Sequence, residues 1–162
     1  MISITNNKEE NVMDLDMLKK WMSSARLDFD EDADGFLHAV RGNLEISVSY
    51  QEEAAVVLCF APILELSALD DEQRLEALSQ SLALNGVGDL PLCCALSYDE
   101  SADVVYLLWQ QSPDQLDAAS FENAISDFGM AAEHVQGYLR GIIAESDGSA
   151  HEQPAADFMM KV

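Results

Sequence analysis

The stretch Leu44-Glu45-Ile46-Ser47-Val48-Ser49-Tyr50-Gln51-Glu52-Glu53-Ala54-Ala55-Val56-Val57-Leu58-Cys59-Phe60 decides how this chain is to be read. From Leu44 to Tyr50, apolar and polar residues alternate with a period of two. That period gives one oily and one wet face, so a half-buried strand is expected. Gln51-Glu52-Glu53 is a polar break, and Ala54–Phe60 is then apolar on both faces, as a central strand is. So short a break predicts an antiparallel hairpin, although without Gly or Asn it names no turn type. A hairpin of this kind needs neighbouring strands, and helices on at least one face.

Reading outward, Asp14 is a plausible N-cap for a helix running to about Leu27. Its residues Leu15, Leu18, Met22 and Ala25 share one face, and Met17 and Trp21 make a second strip beside it. Two readings stay open for the extra apolar surface: both strips are core, or part of the helix is left for a partner. Asp28–Gly35 (DFDEDADG) matches the first half of a calcium loop. The position that should hold a bidentate Glu is Arg41, however, so the plainer reading is an acidic turn into a strand, Phe36–Val40. Gly42-Asn43 ends that strand and folds the chain back.

Pro62 is expected to end the strand after Phe60. Asp70 or Asp71 caps a second helix to about Leu84, with Leu75, Leu78 and Leu82 on one face, and Asn85-Gly86 stops it. Leu92–Tyr98 and Val104–Gln110 read as two further strands. A long helix from Asp117 or Ser120 carries Phe121, Ile125, Phe128, Ala132, Val135, Leu139 and Ile142 at helical spacing for about six turns. Gly129, Gly137 and Gly141 weaken it, and close packing on the sheet is the expected reason for them. The predicted fold class is α+β, an antiparallel twisted sheet with three helices in the order α-β-β-β-α-β-β-α. The expected organisation is a flexible N-terminus at 1–13, one domain at 14–145 and a flexible C-terminal tail at 146–162.

Composition narrows the function. Thirty acids against eight bases in 162 residues give a formal charge of −22. Phosphates would be repelled, so neither nucleic acid nor an anionic membrane is an expected partner. No apolar run approaches the ~20 residues of a membrane span, and the first residues have no signal-peptide pattern, which predicts a cytosolic location. Cys59, Cys93 and Cys94 lie in apolar runs and read as small buried hydrophobes in a reducing compartment. His38, His134 and His151 stand far apart, and no nucleophile elbow, phosphate loop or metal motif is present. The reading is therefore not an enzyme, with no cofactor and no metal.

Order, length, acidity and the lack of a catalytic motif together resemble the class I type III secretion chaperones, the family of the Tir chaperone. The resemblance covers about Asp14–Glu145. It is best from Leu75 to Leu139, where Leu82-Ala83-Leu84-Asn85 leads into Leu90-Pro91-Leu92, then Val104–Trp109 and the long helix with Phe121, Phe128 and Leu139. It implies a bacterial cytoplasmic homodimer that binds the N-terminal segment of a secreted effector without ATP. The family's dimer interface falls on Leu75, Leu78, Leu82, Cys94 and Leu96. Its effector-binding patches fall on Leu18, Met22, Phe36, Leu44, Ile46 and Val48, with strand addition at a sheet edge. A regulatory or stress-related α+β protein-binding domain of the same shape is the alternative.

Overall fold

A computed structural model of the chain describes residues 13–87 and 90–147. The elements are α1 (Leu15–Ser24), β1 (Phe29–Glu31), β2 (Leu37–Arg41), β3 (Leu44–Gln51), β4 (Val56–Glu65), α2 (Asp71–Val87), β5 (Ala95–Asp99), β6 (Val104–Gln111) and α3 (Ala118–Asp147). All six strands pair antiparallel in the order β1-β2-β3-β4-β6-β5. The α+β class and the element order agree with the sequence reading, with the short β1 as an added strand. Residues 1–12 and 148–162, most of the two expected ends, lie outside the described residues. Met13 is buried in the core, and the α3 backbone continues through 146–147.

The expected hairpin is β3–β4, with Ser47 opposite Phe60 and Gln51 opposite Val56. Its loop closes through Ala55 N–H to the Glu52 carbonyl at 3.2 Å. Ala55 takes φ 50°, the left-handed conformation that Gly or Asn would ordinarily supply. The β2–β3 loop is Gly42-Asn43, with Gly42 at φ 61°.

Pro62 does not end β4, which runs on to Glu65 with a register irregularity between Pro62 and Leu64. The reason is local. β3 stops pairing with β4 at Phe60, so beyond that point a missing N–H deprives no strand on that side. α2 likewise runs past Asn85-Gly86 to Val87. Leu92–Cys94 is not strand: Pro91–Cys93 is a 3₁₀ turn in which Leu92 and Cys93 take φ 58° and 57°. Cys93 is thereby exposed, whereas Cys59 and Cys94 are buried as expected.

All three helices gather on one face of the sheet. α1 and α3 pack on β3, α3 also on β4, and α2 packs on α3 and β5. The core lies between: Leu37, Ala39, Leu44, Ile46, Val48, Val57, Cys59, Ala61, Val105, Leu107 and Trp109 from the sheet, against Leu18, Met22, Phe121, Ile125, Phe128, Ala132, Val135 and Leu139. Trp21 joins α1 to α3 through Phe121, ring centroids 5.5 Å apart. Near the C-terminal end of α3 the buried residue is Ile143, with Ile142 only half-buried.

The helices begin at side-chain caps. Asp14 accepts from Met17 N–H at 2.7 Å. Asp70 and Gln73 exchange reciprocal bonds, a capping box. Asp117 and Ser120 do the same at α3. Close packing explains one of the three α3 glycines. A Cβ on Gly129 would stand 2.9 Å from Arg41 Cδ, whose guanidinium donates to Ser126 Oγ at 2.8 Å. A Cβ on Gly137 or Gly141 would meet nothing within 4 Å.

The β5–β6 hairpin is tied to α2 by Arg74. Its guanidinium donates to Asp103 at 2.6 and 2.9 Å and to the Leu66 carbonyl at 3.0 Å, while Tyr98 OH donates to Asp103. Arg74, and then Tyr98, hold the Asp103 carboxyl below the usual carboxylate range.

Two tests follow from this packing. Gly137→Ala and Gly141→Ala are expected to raise stability by up to ~1 kcal/mol each in urea unfolding, whereas Gly129→Ala gains nothing because Arg41 must give way. The depressed Asp103 carboxyl contributes stability that is complete above the ordinary carboxylate value and is lost as pH falls through the lowered one. Asp103→Asn is therefore expected to be less stable than wild type at neutral pH. The gap should close below about pH 4 in urea midpoints taken across the acid range.

Candidate functional site

Strand alternation gives the sheet a second face that no helix covers among the described residues. On β4 the residues Val57, Cys59 and Ala61 are buried under the helices, and Leu58, Phe60 and Pro62 between them are half-buried on the other side. On β6, Tyr106 and Leu108 join this open face. Phe36 completes the strip. Its ring meets Phe60 edge-on at 5.6 Å, and Phe60 meets Tyr106 edge-on at 5.8 Å. The result is an apolar, partly aromatic band across β4 and β6, reaching Phe36 just before β2, with one side open to solvent.

Beside the band lies a polar cluster. His38 shares hydrogen bonds with Ser47 Oγ at 2.8 Å and with Asp32 at 2.9 Å, with Glu45 at 3.6 Å. The Asp32 carboxylate also accepts from the N–H groups of Asp34 and Phe36. The His38 hydrogen bond first, and the Phe36 N–H second, hold Asp32 below the usual carboxylate range. Asp, His and Ser in a row resemble a hydrolytic triad. Acyl transfer also requires free donors for a developing oxyanion, and the backbone around Ser47 is committed to the ladder between β2 and β4. What the cluster does is order the β1–β2 turn, which is the acidic turn expected from DFDEDADG. Among the described residues no group of three His, Cys, Asp or Glu is placed to hold a metal ion.

The residues assigned to effector binding divide. Leu18, Met22, Leu44, Ile46 and Val48 are at most 2% exposed and form the packed core under α1 and α3. The oily face of β3 is thus turned to α3, where Gly129 brings the helix close to Ile46. Those five offer no surface in this protomer; Phe36, on the open face, does. Leu58 and Phe60 fall in the stretch that reads as a two-sided apolar strand, and with helices on one side only, the second apolar face of such a strand is left bare. Tyr106 and Leu108 lie in the neighbouring strand expected at Val104–Gln110.

Of the residues assigned to a dimer interface, Leu78, Leu82 and Leu96 come together at one groove, Leu75 stands exposed on α2 and Cys94 is buried. α2 buries its small and polar stripe, Gln73, Ala77 and Ser81, and turns Leu75 and Leu82 outward at 68% and 71% exposure. Leu78 is half-buried, and Cys94 and Leu96 are nearly covered. Leu78, Leu82 and Leu96, with Ser81, Asn85, Tyr98 and Val105, line one groove of about 280 Å³ between α2 and the β5–β6 hairpin. Burial pushes the Cys94 thiol up to about 11, with Cys93 adding to it, and burial likewise raises Cys59 well above the ordinary thiol value. Neither is a thiolate nucleophile at neutral pH.

Among the described residues no helix is long and apolar enough to cross a membrane. No curated protein sequence matches the chain. Solved structures of the same fold include the ExsC-ExsE complex, at 17% identity over 77% of this chain and 92% of that one, TM-score 0.58. Another is the Yersinia pestis type III secretion chaperone SycH in complex with a stable fragment of YscM2, at 12% identity over 74% and 97%, TM-score 0.52. YbjN, a putative transcription regulator from E. coli, shares the fold at 15% identity over 85% and 93%, TM-score 0.55. These likenesses are of fold; the sequence itself matches the family model of the Tir chaperone protein over residues 16–136, three quarters of its length, and the chain belongs to the Tir chaperone protein (CesT) family.

Proposed function

We propose that this chain is an ATP-independent chaperone that binds the N-terminal segment of a type III secreted effector and keeps it soluble and ready for secretion. It works as a homodimer in the bacterial cytoplasm and performs no catalysis. The observation that carries the reading is the bare apolar band Phe36–Phe60–Tyr106–Leu108, in a chain of this family. A secreted segment that must stay unfolded needs its apolar anchors covered, and a band of half-buried aromatics can cover them without a fixed sequence. The complexes of related fold, such as SycH with its YscM2 fragment, support a polypeptide as the partner.

The second copy belongs on α2. Leucines that point to solvent from a helix whose small residues point inward are what an isologous interface requires. Burying each one contributes roughly 1.5–3 kcal/mol to association. The outward Leu75 and Leu82, together with the groove at Leu78 and Leu96, give a two-fold contact both knobs and holes. The likeness to YbjN, a putative transcription regulator, favours the alternative, a regulatory or stress-related protein-binding domain of the same shape. The two readings differ in what is captured: an unfolded N-terminal segment or an intact protein.

Four measurements test this. Co-expression with the first ~100 residues of a candidate effector should yield a complex that survives gel filtration, a domain-sized fragment being ample. Phe60→Ala and Tyr106→Ala are each expected to weaken that complex at least tenfold, equivalent to about 1.4 kcal/mol, while the fold is kept. Ile46→Ala, by contrast, is expected to cost ~2–5 kcal/mol of stability as a core truncation. Leu82→Asp is expected to convert a dimer into a folded monomer by light scattering. A wild-type protein that is monomeric at micromolar concentration would remove the α2 interface from the proposal.

A further inference from the structure

The two edges of the sheet are not equivalent. β5 is terminal, and its outward-facing main-chain groups belong to Cys94, Leu96 and Tyr98, those of Ala95, Ser97 and Asp99 being turned to β6. The Cys94 N–H is taken by the Pro91 carbonyl at 3.0 Å, within the 3₁₀ turn. Leu96 is taken twice by one side chain. Asn85 Oδ1 accepts from the Leu96 N–H at 2.8 Å, and Asn85 Nδ2 donates to the Leu96 carbonyl at 2.9 Å. In an antiparallel ladder, a hydrogen-bonded residue exchanges both bonds with its opposite number. The Asn85 amide reproduces that exchange from the side of α2, where a seventh strand would otherwise lie.

Nothing in helix propensity favours Asn within α2. Asn85 is an exposed residue, yet both halves of its amide are committed to one backbone position. At the far end of the sheet β1 spans only three residues, and β2 extends beyond it through Val40 and Arg41. Val40 is 72% exposed.

We propose that Asn85, with the Pro91–Cys93 turn, seals the β5 edge at Cys94 and Leu96 against main-chain pairing with a further strand. The seal keeps backbone pairing away from the α2 face, leaving leucine side chains to make any contact there. That the α2 face meets a second copy rests on the proposed function; the seal itself does not.

The test uses the full chain and needs no effector. Amide hydrogen exchange of Leu96 in Asn85→Ala is expected to run at least about tenfold faster than in wild type, the equivalent of one hydrogen bond, while β6 amides keep their rates. Asn85→Asp retains the acceptor for the Leu96 N–H but turns its other oxygen on the Leu96 carbonyl, so its Leu96 exchange should fall between wild type and Asn85→Ala. That separates the loss of the seal from a general loosening of α2. In sedimentation velocity at ~0.5 M salt, where like charges are screened, Asn85→Ala should also form species larger than wild type through the opened edge. Unchanged Leu96 exchange in Asn85→Ala, or an assembly state identical to wild type, overturns the proposal. Failure to find an effector would leave both measurements standing and count against the chaperone reading alone.

Discussion

The constraint on which the rest of this structure depends is the seating of α3 along the inner face of β3 and β4. Thirty residues of helix, about 45 Å at 1.5 Å per residue, bring Phe121, Ile125, Phe128, Ala132, Val135 and Leu139 down on the sheet. Gly129 sets how closely they approach, because Arg41 lies across the helix at that point on its way to Ser126. α1 completes the same layer through Trp21 on Phe121. With one face closed so fully, no helix among the described residues is left for the other. The bare band on β4 and β6, with Phe36 at the start of β2, is the direct consequence of a two-layer fold in which the described helices are spent on one side.

α2 shows a second consequence. A helix that docks through Ala77 and Ser81 comes close to its neighbours, yet buries little apolar area there. Its position is fixed instead by polar contacts at both ends: the Asp70–Gln73 box and the Arg74–Asp103 pair near its start, and Asn85 on Leu96 near its finish. Its leucines are thereby free to face outward. An apolar helix face and an apolar sheet face on one protomer would invite aggregation in a neutral protein. A formal charge of −22 opposes that through repulsion between copies. Three of the bases are held locally, Lys19 by Glu31, Arg74 by Asp103 and Arg41 by Ser126, so acidic groups dominate what remains on the surface.

Local pattern alone made much of this molecule readable. Alternation from Leu44 to Tyr50 specified β3, Gly42-Asn43 its turn and the 3.6-residue beat from Phe121 to Leu139 the long helix. Asp14, Asp70 or Asp71, and Asp117 or Ser120 marked the helix starts, because each of these features depends only on neighbours in sequence. The acidic loop at Asp32 was readable as a turn for the same reason. Even the leucines of α2 share one face by spacing alone.

Which side of each element meets what was decided only by the tertiary structure. Leu44, Ile46 and Val48 carry the same alternation whether they face a helix or a partner, and only the placement of α3 makes them core. Pro62 breaks a strand in general but not where pairing with the neighbouring β3 has already stopped. Leu92-Cys93-Cys94 is apolar enough for a strand, and left-handed residues turn it into a 3₁₀ corner instead. Asn85 reads as a helix stop in sequence and serves as an edge seal in space, because its partner Leu96 is eleven residues away and reached only when α2 folds back on β5. The sequence determined the elements and their faces; the packing of three helices on one side of the sheet decided which faces became core and which were left to meet a partner.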